Sequence, residues 1–578
     1  MIIVGINAYH ADSSAAIFKD GEMIAAIEEE RFKRVKHWAG FPELAIEFCL
    51  EEAGIDYAEV DYWAIGRDPH AKFFRKLIYL VKNAGGSIAA IKNRLNNAKK
   101  VSSLGEELSR VSGLPKHTFK GKIRQVEHHR SHIASAFYAS GFEEAACLSI
   151  DGSGDFSTTM IGVGKGNEIK ILDSVDFPHS VGIFYTAFTQ LLGFPHYGDE
   201  YKVMGMAPYG KPIYTDLLND VIRLTNDGLF QLNLSYFRKG TSGVISYGDD
   251  NVPVVAPLFS GKMVKTFGKV RQKDEPLTQE HKDLAASVQK KTENVIFHIL
   301  DHLKKETGLE NVCIAGGVAQ NSVANGKILT QTGFKRVYIP PAGHDAGISM
   351  GAALYTIHQT LKEPSRRKIL SAYTGSWFTN LEVRELLKKK SIEYTQLPDA
   401  ILFEKIVDCL EGGGVVGWFS GRAEFGPRAL GGRSIIADPR RMDAKEILNL
   451  KIKRRESFRP FAPSILKEYV EEYFELVDEV PFMEKVFPIK MEKRKLIPAV
   501  THVDGTGRLQ TVDKEISPRY YGLIEAFRKR TGIPILLNTS FNENEPIVNT
   551  PEEALDCYLR TSMDMLVIEN ILVQRSVV

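Results

Sequence analysis

Two stretches far apart in the chain share one pattern, and it limits the fold more than any single motif. The first is the apolar run Ile2–Ile6, a polar loop with Asn7, His10, Asp12, Ser13 and Ser14, and a second apolar run, Ala15–Phe18. Asp20-Gly21 then marks a hairpin turn into a third strand at Met23–Ile27. The second stretch runs from Cys147 through Asp151-Gly152-Ser153-Gly154-Asp155 to Thr158–Val163. Strand, short polar loop, strand, met twice, predicts a duplicated fold with one such loop from each half set against the other. A chain of 578 residues has room for that and for a further domain.

The second stretch is preceded by a helical segment, His128 to Tyr138, ending near Gly141. Four-residue spacing puts His128 and His132 on one face of it and leaves His129 off that face. Further on, helix Thr278–Lys305, strand Val312–Ala315, Gly316-Gly317, helix Val318–Asn321, strand Val337–Ile339, the glycine turn 340–347 and helix Ile348–Ile357 alternate as in an α/β fold. The run 202–210, with its glycines and proline, reads as a shaped loop, and residues 211–275 as an insertion walling a substrate pocket. Residues 358–376 read as a linker. The expected domains are therefore 1–365 and 378–578.

Three constellations carry chemistry. His128 and His132, with Asp345 in the glycine turn, form a donor set for a divalent transition metal: iron is the expected ion, manganese or zinc the alternatives. The loop 151–155, with Gly152 and Gly154, lets backbone amides approach an anion while its carboxylates hold a cation; Gly316-Gly317 and the loop 7–14 share that context. In the second domain Arg422, Arg428, Arg433, Arg454, Arg455 and Arg459 lie in or beside loops such as FGPRALGG and SFRPFAP. That setting suits guanidinium forks turned toward phosphate or carboxylate in a cleft. Asn538, Ser540 and Asn542 follow a strand at Pro534–Leu537 and add neutral polar groups.

Several classes are disfavoured. No Walker A or dinucleotide fingerprint is present, and no Ser or Cys is set up as a nucleophile. A net charge of +2 demands no nucleic-acid partner. Residues 72–100 hold eight Lys or Arg and no acid, a solvated basic face or a patch for an anionic partner. Five scattered cysteines without a C-x-x-C pair suit a reducing, cytoplasmic setting. No signal peptide or membrane span is read in the sequence.

Taken together, GINAYHADSSAAIFKDG, EEERFKRVKH, HHRSHIASAFYAS, DGSGD, GGVAQN, HDAG, EFGPRALGGRSI, SFRPFAPS and NTSFN resemble the ATP-dependent O-carbamoyltransferases of antibiotic and nodulation-factor biosynthesis. The resemblance implies an actin/hexokinase-like N-terminal domain and a C-terminal α/β domain similar to threonylcarbamoyl-adenylate synthase. It implies ATP, with Mg2+, and carbamoyl phosphate as substrates, carbamoyl-adenylate and pyrophosphate as the first products, and transfer of the carbamoyl group to a hydroxyl-bearing small molecule. It also implies a metal on His128, His132 and Asp345, and His10 with Asp12 near the acceptor hydroxyl. Arg428, Arg459 and the NTSFN loop would serve adenylate formation. Asp151, Gly152, Gly154, Gly316, Gly317, Asn321, Arg433, Asn538, Ser540 and Asn542 are the expected nucleotide- and phosphate-binding residues. Many relatives carry His where this chain has Gly432. A homodimer is compatible with this reading. A tRNA-modifying transferase, a sugar kinase and a non-enzymatic nucleotide-binding scaffold are the rival readings.

Overall fold

The short apolar runs of the first repeat form a meander. Ile2–Asn7 pairs antiparallel with Ser14–Lys19, which pairs antiparallel with Glu22–Glu28. On its other side Ile2–Asn7 pairs parallel with Tyr62–Ile65, and that strand with Ile123–Gln125. The second repeat builds the same sheet again. Glu144–Gly154, Ser157–Lys165 and Glu168–Asp176 form the antiparallel meander, and Asn311–Ala315 and Arg336–Tyr338 extend it in parallel. Identical strand order and direction in the two sheets make this the duplicated actin/hexokinase-like fold. The computed structural model describes residues 1–82, 103–238, 244–247 and 251–575, in two units, Met1–Ile369 and Leu370–Val578. Most of the basic segment 72–100, and part of 211–275, lie outside the described residues.

Two helices of the first unit pack on each other and on the sheets: His128–Ser140 against the second, Gly347–Leu354 against the first. Their approach depends on glycine. A Cβ at Gly351 would meet the Ser131 carbonyl oxygen at 1.9 Å, and one at Gly5 the Ser349 carbonyl oxygen at 1.8 Å. The packing joins the two repeats, since Ser14 at the start of its strand donates to the Ala346 carbonyl at 2.7 Å.

The second unit is one sheet of nine strands. Its order is Thr395–Gln396, Ile571–Gln574, Met565–Ile568, Val416–Phe419, Arg433–Ala437, Ile535–Ser540, Ala462–Leu466, Thr506–Val512 and Lys485–Pro488. Trp418, Phe419, Phe527 and Phe541 are among the side chains that fill its core. Among the described residues no helix is long and apolar enough to cross a membrane.

Local expectations need correction at four places. Residues 202–210 are helical, Glu200–Met206 followed by the 3-10 turn Ala207–Tyr209, because Val203 and Met206, three apart, bury one face against the helix Gln279–Thr307. The DGSGD run is no free loop: its strand continues to Gly154 and reverses at Asp155 and Phe156, both at positive φ. Residues 318–321 are a 3-10 turn within Gly317–Gln320, followed by the short helix Ser322–Asn325. Asn538 and Ser540 lie within the strand Ile535–Ser540 and not in a turn after it.

Candidate functional site

The helix His128–Ser140 starts where the Glu127 carboxylate accepts the Arg130 amide at 2.8 Å. Its first turn carries both imidazoles inward, and the ring centroids of His128 and His132 lie 4.8 Å apart. Two carboxylates meet them. Asp151 Oδ2 lies 3.1 Å from His128 Nε2 and 3.5 Å from His132 Nε2. Asp345 Oδ1 lies 3.3 Å from His132 Nε2 and 3.7 Å from His128 Nε2. All four residues are buried, and one ligand atom from each lies within 4.8 Å of the others.

Asp151 thus stands with the metal-ligand candidates, where the sequence put it in a phosphate loop whose carboxylates hold a cation. The supposed phosphate glycines put it there. The Gly317 amide donates to Asp151 Oδ1 at 3.0 Å. Gly316, at φ +102°, lies so close to Ile150 that a Cβ would sit 2.2 Å from its carbonyl oxygen. A Cβ on Gly154 would lie 2.0 Å from the His128 ring, so this glycine makes room for the imidazole. The volume beside Gly152 is open. Asn321 Oδ1 accepts the Ala324 amide and caps the helix Ser322–Asn325, and its side-chain amide pairs both ways with Gln289.

Burial opposes charge on all four buried side chains, and the ion pairs overrule it selectively. Against desolvation, Asp151 and Asp345 push His132 up to about 9, and the histidines hold both carboxylates below their usual range. Desolvation prevails at His128, whose pKa is lowered, and at His129, which lies behind the cluster with Nδ1 2.7 Å from Ser149 Oγ. Both ring nitrogens of His132 and Asp345 Oδ1 are sealed from solvent without a hydrogen-bond partner among the described residues. Orphaned buried donors and acceptors in a two-imidazole, two-carboxylate set fit a divalent transition metal, for which His132 must give up its proton.

His10 joins the same cluster, with Nδ1 2.6 Å from Asp345 Oδ2 and its ring 5.2 Å from that of His128. Asp12 is turned elsewhere: Oδ1 lies 2.7 Å from His37 Nδ1. Desolvation weighs against the His37 cation, yet Asp12 raises its pKa to about 9. His37 comes from the EEERFKRVKH motif, where its role was not legible; its backbone amide is anchored by Glu30 Oε2 at 2.9 Å.

In the second unit only some of the arginines gather. Arg433 is fully buried, donates to the carbonyls of Gly421, Gly432 and Ser376 and stacks 3.5 Å over Phe419. Arg422 donates to the Gly375 carbonyl, and the exposed Arg454 pairs with Glu543 at 3.3 Å. Arg428, Arg455 and Arg459 instead share their surroundings with Arg508. Desolvation first, then repulsion from those three, holds the Arg508 guanidinium well below its ordinary pKa. Desolvation brings Arg428 down to about 10 despite Glu484. Arg459 has Glu456 at 3.6 Å.

Sequence reasoning missed two cations here. Arg508 follows the glycine turn Asp504-Gly505-Thr506-Gly507 at the start of the strand Thr506–Val512, and no second arginine beside it drew notice to that turn. Lys453, 1% exposed, donates to the carbonyls of Ser540 and Asn542 and to Asn542 Oδ1, at 2.5, 2.7 and 2.7 Å. It organises the NTSFN segment, and only its position beside Arg454-Arg455 hinted at it. Asn538 donates to the Ala429 carbonyl at 3.2 Å, which ties it to the Arg428 loop. A cluster of partly desolvated guanidiniums, mutually repelling, is built for a polyanion such as phosphate.

Family models and relatives match along both units. The profile of the carbamoyltransferase N-terminus matches residues 2–354, and that of the carbamoyltransferase C-terminus residues 407–575. An uncharacterised protein of Synechocystis sp. is 44% identical over 99% of this chain and 97% of that protein. Nodulation protein NolNO of Sinorhizobium fredii is 39% identical over 98% of this chain and 80% of that protein. Among solved structures, HypF of T. kodakarensis overlays with a TM-score of 0.31 at 14% identity, covering 62% of this chain and 48% of that one. From the first strand to the last sheet, the chain belongs to the ATP-dependent carbamoyltransferase family.

Proposed function

We propose that the two units divide one reaction between them. The second unit takes carbamoyl phosphate, one water and ATP, with Mg2+: the water releases phosphate and carbamate from the donor, and the carbamate oxygen displaces pyrophosphate from the ATP α-phosphorus to give carbamoyl-adenylate. The first unit passes the carbamoyl group to the hydroxyl of a small-molecule acceptor, with AMP as leaving group. The observation that carries this is chemical: a buried two-histidine, two-aspartate set lies in one unit, and a cluster of arginines suited to phosphates in the other. By resemblance the second unit takes the threonylcarbamoyl-adenylate synthase fold. A kinase has no use for the arginine cluster, and the family match favours carbamoyl transfer over tRNA modification.

In the first unit His128, His132, Asp151 and Asp345 would hold the metal, Fe2+ by preference and Mn2+ or Zn2+ as alternatives. When bound it supplies Lewis-acid polarisation of the carbamoyl oxygen. His10, held by Asp345 through Nδ1, is left with Nε2 to accept the acceptor's proton. Gly152, beside which a Cβ would meet nothing within 4 Å, is where the nucleotide phosphate would lie in this reading.

The test assays the half-reactions apart. Arg428→Ala should abolish pyrophosphate release with the fold intact. His132→Ala should lower bound metal, measured by elemental analysis, and stop transfer from radiolabelled carbamoyl phosphate to any hydroxyl compound, while pyrophosphate release continues. Equal metal in wild type and His132→Ala, or labelling that never depends on a hydroxyl compound, would sink the reading.

A further inference from the structure

The guanidinium of Arg428 makes no hydrogen bond among the described residues, so the backbone of its loop decides where it points. That loop is held to an unusual degree. Glu424, 1% exposed, turns one carboxylate oxygen, Oε1, onto three donors of one turn: the amides of Leu430 at 2.7 Å, Gly432 at 2.7 Å and Arg433 at 3.3 Å, while the Gly431 amide between them donates to Ser434 Oγ at 3.0 Å. The carbonyls between them are taken from the other side. Leu430 accepts from Gln510 Nε2 at 2.6 Å and the Tyr373 hydroxyl at 2.7 Å. Gly431 accepts from Trp418 Nε1 at 2.7 Å, and Gly432 from the Ser420 amide at 2.9 Å.

Amides that converge on one point form a cradle for an anion, and an ionised oxygen with several lone pairs serves three donors where a neutral acceptor serves fewer. Here the chain fills the cradle with its own carboxylate. Gly431 reaches the required turn at φ +109°. Gly432 lets the carboxylate come close, because a Cβ there would meet the Arg422 carbonyl oxygen at 2.6 Å and Glu424 Oε1 at 3.1 Å. The sequence around Glu424 belongs to the EFGPRALGGRS motif, but its arginines attracted the functional reading.

We propose that Glu424 is the positioning residue of the anion pocket: its buried carboxylate fixes the loop that aims Arg428 at carbamoyl phosphate. This rests on reading the second unit as the adenylate-forming site. Glu424 acts through the loop backbone, and a displacement of about 1 Å at a reacting centre costs about 10²-fold in rate.

The test uses the full chain with Glu424→Ala, Glu424→Gln and Glu424→Asp. Pyrophosphate release is titrated separately with carbamoyl phosphate and ATP, and amide hydrogen exchange is followed across residues 425–434. Glu424→Ala should speed exchange at Leu430, Gly432 and Arg433 and lower kcat/KM for carbamoyl phosphate by about 10²-fold. The KM for ATP and the metal content should hold. Glu424→Gln, whose neutral oxygen serves fewer of the three amides, should fall between Glu424→Ala and wild type in both activity and protection. If Glu424→Ala does not fold, the Gln and Asp variants carry the test, with exchange and KM expected to rise together. A folded Glu424→Ala with wild-type kcat/KM overturns the proposal, as does a Gln variant as impaired as Ala with its amides still protected. If the wild type itself releases no pyrophosphate, the adenylate-forming reading fails, and exchange alone still reports whether Glu424 holds the loop: unchanged protection in Glu424→Ala then overturns that part too.

Discussion

Replacing Arg508 with Met should move stability and activity in opposite directions. Arg508 lies on the strand Thr506–Val512, with Nε shielded from solvent and without a hydrogen-bond partner. Desolvation and the charges of Arg428, Arg455 and Arg459 all disfavour its cation. Methionine keeps much of the apolar stem and removes the charge. Relief of a buried charge by an apolar residue is worth about 1–4 kcal/mol; because Arg508 is only half-buried, the gain belongs near the lower end, about 1–2 kcal/mol. In a unit of this size each kcal/mol shifts Tm by about 2–4 °C, so a rise of about 2–8 °C is expected for the second unit. The same guanidinium is a fixed donor where phosphate charge gathers, and losing one such donor costs about 10²–10³-fold in rate. Differential scanning calorimetry on the full chain and pyrophosphate release from ATP and carbamoyl phosphate give the two readouts. A lower Tm together with an unchanged rate would refute the reasoning, because it would make Arg508 a structural cation and not a ligand held at a cost to the fold.

Asp151→Asn should lower bound metal as His132→Ala does, read by elemental analysis; full metal content in the Asn variant would return Asp151 to a phosphate role. Gly154→Ala puts a methyl group onto the His128 ring and should reduce metal and carbamoyl transfer while sparing pyrophosphate release, so loss of both half-reactions would contradict it. Glu29 is fully buried, and desolvation raises its pKa to about 7 even though the Ala45 and Leu44 amides donate to it. The folded state then holds this proton more tightly than the unfolded chain. Stability should fall as pH climbs from about 4.5 to about 7 and level off above, by up to about 3 kcal/mol. Urea midpoints at pH 5 and pH 8 should differ less in Glu29→Gln than in wild type, and equal differences would reassign that pH dependence to other groups.

The duplication was legible because its evidence is local. Short apolar runs on either side of a polar loop specify a strand pair wherever they occur, and meeting that pattern twice announces two equivalent halves. The helix His128–Ser140 was legible for the same reason: four-residue spacing and a terminal glycine suffice to align two imidazoles. The helix at 200–206 was not, because its glycine and proline outweighed Val203 and Met206 until the long helix Gln279–Thr307 gave those two a surface to bury against.

What the chain alone determined was which elements form and which residue types stand in glycine-rich loops. Which of those residues are free to meet a ligand was decided only by tertiary structure. Arg428 and Arg433 sit five positions apart in one motif, yet Arg433 is bound by three backbone carbonyls and an aromatic ring while Arg428 keeps an uncommitted guanidinium. Asp151 is aimed at the histidines by an amide from a distant part of the chain, and Asn321 is paired with Gln289. A side chain's hydrogen-bonding capacity is set by its own atoms, but its partners are chosen through space. Burial then makes each choice binding, since a polar group cut off from water must keep whichever neighbours the fold brings to it.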